Sequence, residues 1–406
     1  MPEEKPKKKY QYIRKTEVYE GVRYEGKGKT EAEAYKKLAA KIEAAKRGDI
    51  GISPQMTVSL WAETWLKDYI HPKVRKPGEK KERNTMAEKN YRMYEQTVRL
   101  YIVPAIGKKK IKDVTEPELR NILNSLKGDS YSHVSKVRII IKAMFRQAWA
   151  SRIITHDPAA LLDMPAAPKG KRRSLTEEEK KVFYKVAQTH QHGLLFRFMV
   201  GTGMRPNEVA AAKVGDVDFK KKIVQVNKAV ESGTKAITDT KTSVDRFTVL
   251  NTAEDADFIT DLKAHAKGKK ADAFLFTQSD GKSMISEQCL KRYWQSFTYA
   301  MDIAMGAETT PHGHIYDPKD LKYDGTPLYP DPQDKTKPRN GHKLAEDLVT
   351  YCLRHTFGTN MQRSGVPIDV TKYLMGHADI TTTANIYVDS GEPEALRAIK
   401  LISKKK

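Results

Sequence analysis

Apolar positions alternate near the start of the chain. They then switch to a period of three to four residues that dominates the rest. Tyr10-Gln11-Tyr12-Ile13-Arg14 and Val22-Arg23-Tyr24-Glu25 read as short strands around a turn at Glu20-Gly21. Residues 30–47 predict a helix: Thr30 is an N-cap with Glu33 at capping-box spacing, and Ala34, Leu38 and Ile42 form an apolar stripe. A linker follows at 48–54. Helical spacing resumes with Val58, Trp61, Trp65 and Tyr69, and again with Tyr91, Tyr94, Val98 and Tyr101. Residues 102–107 break the pattern, Ile111 to Thr115 lead into a helix from Glu116, and 135–152 predict another, with Ile139, Ile140, Ala143 and Phe145 to Ala148 as its apolar content. These aromatics fit a core better than a base-stacking platform. Met164 to Arg173 combine helix breakers with a basic run, a domain boundary. Ser174 opens the next helix, with Glu177 at capping-box spacing. Beyond it, helices are predicted at 176–189, 193–213, 255–266, 286–305, 344–364, 367–375 and 380–388, and strands at 223–230 and 246–250. Residues 307–341 are polar, proline-rich and without helical period, longer than most structureless connections. The pattern predicts a multidomain, mainly α chain with small β-sheets: a sheet-plus-helix module at 1–50, a helical domain at 54–165 and a mixed α+β domain at 174–406.

Charge narrows the partner. The chain of 406 residues carries a formal charge of +22, with its lysines and arginines spread along the whole length. That favours a polyanion over a basic tail on a neutral domain. A membrane surface would attract the same charge, but no apolar run approaches the ~20 residues that span a bilayer, and the first residues lack the apolar core of a signal peptide. Cys289 and Cys352 are too few and too isolated for a disulfide framework or a zinc site, which fits a reducing cytoplasm. His312 and His314 with Asp317 have metal-ligand character but sit in a polar loop without cysteine support, so no metal is expected there. Neither a Walker loop nor a dinucleotide fingerprint occurs.

The candidate chemistry lies in two blocks. Thr202-Gly203-Met204-Arg205-Pro206-Asn207-Glu208 places an arginine at the start of a helix, with Glu208 one turn on to buttress a positive group. Leu353-Arg354-His355-Thr356-Phe357 is followed by Leu374-Met375-Gly376-His377 and by Tyr387. Two arginines, a histidine and a tyrosine suffice for covalent attack on a phosphodiester without a metal: arginines hold the anion, the histidine donates a hydrogen bond, and the tyrosine attacks. Gly376 permits a tight turn into the imidazole. Tyr12, Arg14 and Tyr24 on the first strands give a basic, aromatic face that suits a DNA groove, or a small module of any function. The basic loop 72–81 suits a phosphate backbone or equally a solvated loop, and the connector residues Lys171, Arg172 and Arg173 add positive charge that suits a phosphate backbone.

These blocks resemble the tyrosine recombinases, the integrases of phages and conjugative transposons. The resemblance implies that Arg205 and Arg354 clamp the phosphoryl group, that Glu208 supports them, that His377 donates to it, and that Tyr387 is the nucleophile. Thr240-Lys241-Thr242-Ser243, with Arg246 and Val249, resembles the family's strand pair carrying a catalytic lysine. This makes Lys241 the proton donor to the leaving 5′ oxygen, with Lys235 as fallback. His355 matches the family's Leu-Arg-His-Thr and reads as a structural hydrogen-bonding residue. The order Pro-x-Ile-Gly, then Ile-x-x-Val-Thr, resembles the family's core-binding (SAM-like) domain, and 1–50 its arm-binding domain. The implied chemistry is transesterification: the tyrosine takes the 3′ phosphate, a 5′ hydroxyl leaves, and a second 5′ hydroxyl reverses the step. No cofactor, nucleotide or metal is needed. Ionising the phenol in water costs on the order of 4 kcal/mol, which the arginines and the phosphate must offset. The implied partners are double-stranded DNA at core and arm sites, clamped between the middle and last domains, and three further protomers in a tetramer. An excisionase or DNA-bending accessory protein is also implied. Leu396, Ile399 and Leu401 form a docking tail for a neighbouring protomer. Two features depart from the pattern. Tyr351 stands where the family usually has histidine. It either donates to a phosphoryl oxygen or merely packs there, and with a pKa near ~10 it is a poor base. The stretch 307–341 exceeds the family's usual connection and reads as an insertion, a protein-contact lobe or a flap. Relaxation by a type IB topoisomerase and a non-catalytic DNA-binding regulator of the same fold are the alternatives.

Overall fold

The computed structural model describes residues 12–19, 22–46, 55–79, 82, 84–168, 170, 173–238 and 245–377. They divide near residue 170 into two compact units.

In the first unit, β1 (Ile13–Tyr19) pairs antiparallel with β2 (Val22–Gly28), and α1 (Glu31–Lys46) follows. The expected turn at Glu20-Gly21 lies outside the described residues. Thr30 and Glu33 cap α1 as expected: Glu33 N donates to Thr30 Oγ1 at 3.2 Å, and Glu33 accepts from Lys29 N at 2.8 Å. Gly26 and Gly28 face this helix. A Cβ at Gly26 would stand 2.0 Å from the Ala34 carbonyl oxygen, so only glycine lets helix and strand approach. Tyr24 lies on the same side as these glycines and is buried against Leu38 and Ile42. This corrects the expectation that Tyr24 contacts DNA, because alternation turns it into the module's core. The opposite side carries the cross-strand pairs Arg14 with Lys27 and Val18 with Arg23, all exposed. Tyr12 is also exposed, with the Lys27 ammonium 5.7 Å from its ring centre.

The helical part of this unit comprises α2 (Val58–Thr64), prolonged by a wider turn over Trp65–Ile70, then α3 (Glu88–Thr97), the single turn α4 (Val103–Ile106), α5 (Glu116–Asn124) and α6 (Tyr131–Ala150). Trp61, Trp65, Ile102, Leu119, Ile141 and Phe145 are fully buried together. Trp61 Nε1 donates to the Met144 carbonyl at 3.1 Å, so the buried indole is satisfied. The aromatics are core, as the periodicity implied. On α6, Ile139, expected among the apolar content, is exposed, as is the aromatic Trp149.

The second unit begins with α7 (Glu177–Ala187). Its capping box is Thr176 with Glu179, not Ser174 with Glu177. The apolar run read as one helix over 193–213 is two, α8 (Gly193–Thr202) and α9 (Pro206–Ala211). Gly203 breaks it at φ +61, where its Cα lies against the Phe357 ring. Strands β3 (Val217–Asp218), β4 (Ile223–Val226) and β7 (Arg246–Val249) form an antiparallel sheet in the order β3-β4-β7, and β5 (Ala229–Val230) pairs with β6 (Ile237–Thr238). Helices α10 (Phe258–Ala266), α11 (Glu287–Ala304), α12 (Thr350–Arg363) and α13 (Ile368–Met375) complete the unit. Phe183, Phe196, Phe198, Phe258, Phe297 and Leu353 centre its core. The architecture is thus mainly α with small sheets, as the sequence pattern implied.

The connection from α11 to α12 contains the proline-rich stretch. It is knitted by bridges between Thr309 and Ile315, Leu321 and Pro327, and Pro330 and Pro338. At its base His342 Nδ1 bonds with Asp302 Oδ2 at 2.6 Å, and Asp302 Oδ1 accepts from the amides of Lys343 and Leu344. Among the described residues, no helix is long and apolar enough to cross a membrane.

Candidate active site

Arg205 and Arg354 converge on one place, the C-terminal end of α13. Arg205 is the N-cap residue of α9, and Arg354 lies in the first turns of α12. Helix α13 ends at Gly376, whose φ of +67 turns the chain into His377, as expected of that glycine. Three consecutive carbonyls are exposed by that ending, and each accepts from a different arginine. Arg246 Nε reaches Leu374 O at 3.2 Å, Arg354 Nη2 reaches Met375 O, and Arg205 Nη2 reaches Gly376 O at 2.6 Å. Arg354 Nη1 also donates to Gly203 O at 2.6 Å, at the end of α8. The last carbonyls of a helix lack internal partners and carry the negative end of its dipole. Two helix ends therefore hold three guanidiniums that would otherwise repel one another.

Glu208 completes the arrangement. It is fully buried, with Oε1 2.8 Å from Arg205 Nη1 and Oε2 2.7 Å from Arg246 Nη2. Burial alone would raise its pKa, yet the bond with Arg246 and the charges of Arg246, Arg205 and Arg354 hold it below the usual carboxylate range. Glu208 thus joins two arginines, Arg205 and Arg246. Arg246 is a further member of the cluster that the motifs alone do not mark. Its sequence signal is alternation: Arg246 and Thr248 occupy the buried side of β7, opposite Val226 and Val224.

Burial, with Arg205 and Arg246 nearby, presses the Arg354 guanidinium down to about 9, so it remains charged at neutral pH. His377 is driven the other way from any cationic role. Burial and then Arg354 and Arg205 push it down to about 3, which leaves a neutral imidazole able to donate one N–H. Three positive side chains and one carboxylate give the cluster a net charge of 3 − 1 = +2. Such a cluster suits an anion whose negative charge grows from one toward two during attack at phosphorus.

Residues 74–164 match the family described as "Phage integrase central domain", and residues 173–314 with 334–393 match "Phage integrase family". The chain belongs to the tyrosine recombinases of the phage integrase family. It is accordingly a DNA strand transferase by family. A XerC-like tyrosine recombinase of Caldanaerobacter subterraneus subsp. tengcongensis is 23% identical over 94% of this chain and 92% of its own length. The transposase of transposon Tn916 from Enterococcus faecalis is 24% identical over 82% of this chain and 75% of its own. Among solved structures, the Tn1549 transposon integrase in complex with a circular intermediate DNA superposes with a TM-score of 0.62 at 18% identity, covering 84% of this chain and 99% of that one. A lambda integrase dimer bound to a core site gives a TM-score of 0.54 at 17% identity, over 83% and 97%. The family match leaves out 315–333, inside the long connection before α12.

The other sequence candidates of this recombinase are placed unevenly. Lys241, Tyr387, Lys171 and Arg172 lie outside the described residues, as does the tail with Leu396, Ile399 and Leu401. Lys235 is exposed in the turn between β5 and β6. Arg173 was expected to face DNA, but the structure commits it inward. Its guanidinium forks onto both Glu179 oxygens at 2.6 and 2.9 Å and bonds Asp347 at 2.8 Å, which raises its pKa further. His355 is buried, next to Arg354 on α12.

Tyr351 lies one turn before Arg354 on α12. It is about half exposed, with its ring centre 6.3 Å from that of His355. A half-exposed side chain at this position can meet an incoming group. Tyr351→Phe is expected to slow cleavage by about 10- to 100-fold, the worth of one hydrogen bond to a charged group. Tyr351→His should be tolerated. Single-turnover cleavage of a nicked duplex decides the matter: parental rates for the phenylalanine variant would reduce Tyr351 to packing.

Proposed function

We propose that this recombinase is the site-specific integrase of a mobile element, cutting and rejoining double-stranded DNA through a 3′-phosphotyrosyl intermediate. The observation that carries the reading is the set of three arginines fixed on the end of α13 next to a neutral His377. The scissile phosphoryl oxygens take the place at Arg205 and Arg354 that the cluster's +2 charge favours. His377 donates its N–H to one of them. The Tyr387 oxygen forms the new bond to phosphorus and the bond to the 5′ oxygen breaks. The phenol loses its proton, and Lys241 supplies one to the leaving oxygen. A second 5′ hydroxyl then reverses the step, so the number of phosphoester bonds is conserved. Integration and excision are favoured over relaxation by the likeness to a transposon transposase and to a transposon integrase in complex with circular intermediate DNA.

In this reading 1–50 is the arm-binding domain, 54–165 the core-binding domain and 174–406 the catalytic domain, with an insertion at 307–341 and a docking tail. Four protomers act on two duplexes, assisted by an excisionase or a bending protein. The exposed Tyr12 and Arg14, with Arg23 and Lys27 beside them, form the arm face. Removing residues 1–50 is expected to leave cleavage of a core site intact and to weaken binding to arm sites. Equal loss at both, in gel-shift and cleavage assays, would reject that assignment.

The test of the main reading uses a nicked duplex carrying the joined ends of the element that encodes the chain. The protein should form a denaturation-resistant adduct with it and exchange strands between two such duplexes. An adduct with relaxation but no exchange would favour the topoisomerase reading, and binding without an adduct the non-catalytic one.

A further inference from the structure

We propose that Arg246 is a positioning residue for strand cleavage, holding Arg205 and His377 in one geometry. The proposal rests on the recombinase reading and adds a residue to it. Arg246 sits on the buried side of β7, 4% exposed. It is linked to two of the elements that build the site. Two of its nitrogens fork onto the Glu208 carboxylate, at 3.2 and 2.7 Å, and Glu208 in turn holds Arg205 through its side chain and its backbone amide. Its third nitrogen donates to Leu374 O, three residues before His377. One planar group therefore braces α9, which presents Arg205, against the end of α13, which presents His377, beside the direct bond from Arg205 to Gly376 O.

Gly376 shows how closely the parts fit. A Cβ there would lie 2.7 Å from Arg246 Nε and 2.8 Å from its Cζ. The glycine is thus required twice, for its positive φ and for the guanidinium packed against it. Lysine in place of Arg246 keeps one positive charge but lacks the planar fork, so it can serve Glu208 or Leu374 O but not both in this geometry. A small displacement of the groups that grip the phosphoryl oxygens is enough to slow transfer strongly.

The experiment measures adduct formation in a single turnover, with saturating full-length protein on the nicked joined-end duplex, and reads the rate constant and the amplitude separately. The amplitude reports the folded, competent fraction and the rate constant reports geometry. Arg246→Lys is expected to lower the rate constant on the order of 10- to 100-fold while affinity for the duplex and amplitude stay close to the parent. Glu208→Gln keeps both arginines and weakens the clamp between them. It should lower the rate constant less, and the double variant should be no slower than Arg246→Lys alone. A parental rate constant in Arg246→Lys, whatever the amplitude, would make Arg246 an ordinary core ion pair. If Arg246→Lys does not fold, a parental rate constant in Glu208→Gln overturns the proposal in the same way. Failure of the parent protein to form any adduct would instead reject the recombinase reading on which the proposal stands.

Discussion

Tyr387→Phe is expected to bind DNA like the parent and to form no covalent adduct with it. The substitution removes one oxygen, the atom that would be joined to phosphorus, and leaves the ring. The chain contains 19 tyrosines, and Tyr387 is singled out by its place ten residues after His377. The arginine cluster next to His377 gives that placement its chemical sense, because a phosphate held there would have its negative charge offset by +2. The check is a denaturing gel of labelled nicked duplex after incubation with each protein. A slow-migrating band of undiminished intensity in the variant would mean that another side chain attacks.

Arg354→Lys should lose about 10²- to 10³-fold in cleavage rate, the cost of removing a preorganised donor to a developing anion. Two of the five N–H groups of this arginine are committed to Gly203 O and Met375 O, and in the proposed reaction the others serve the phosphoryl group. A lysine can satisfy one carbonyl or the anion, not the full set. Affinity for DNA should change little, since many other basic residues grip the backbone. Thermal unfolding measured alongside separates loss of chemistry from loss of fold, because a carbonyl left without its donor also destabilises the unit. Cleavage within a few fold of the parent, with an unchanged unfolding midpoint, would contradict the assignment of Arg354 to the phosphoryl group.

Much of this molecule is readable before any coordinates. The periods of Ala34, Leu38 and Ile42, or of Trp61 and Trp65, give helices because burial follows the stripe. The motif glycine Gly376 marks a helix end because glycine takes a left-handed turn without strain. The misreadings have physical causes. Composition points Tyr24 to a DNA face, but alternation puts it on the side of Gly26 and Gly28, where the helix lies. Arg173 looked like a free cation in a basic run, and nothing local announces that Glu179 and Asp347 close around it. Arg246 escaped notice for the converse reason: a buried arginine is explained only by partners distant in sequence, here Glu208 and the end of α13. Helix 193–213 was read as continuous because an apolar run does not reveal the break at Gly203.

The ladder of three arginines on consecutive carbonyls sets how this site can come apart. Leu374, Met375 and Gly376 belong to one helix end, so α13 cannot shift away from Arg205 alone. Any rigid displacement of that helix would release all three guanidiniums together and carry His377 with them. A shifted α13 would thus take His377 and all three carbonyls from the arginines at once, while Glu208 would still join Arg205 to Arg246 and Gly203 O would still hold Arg354.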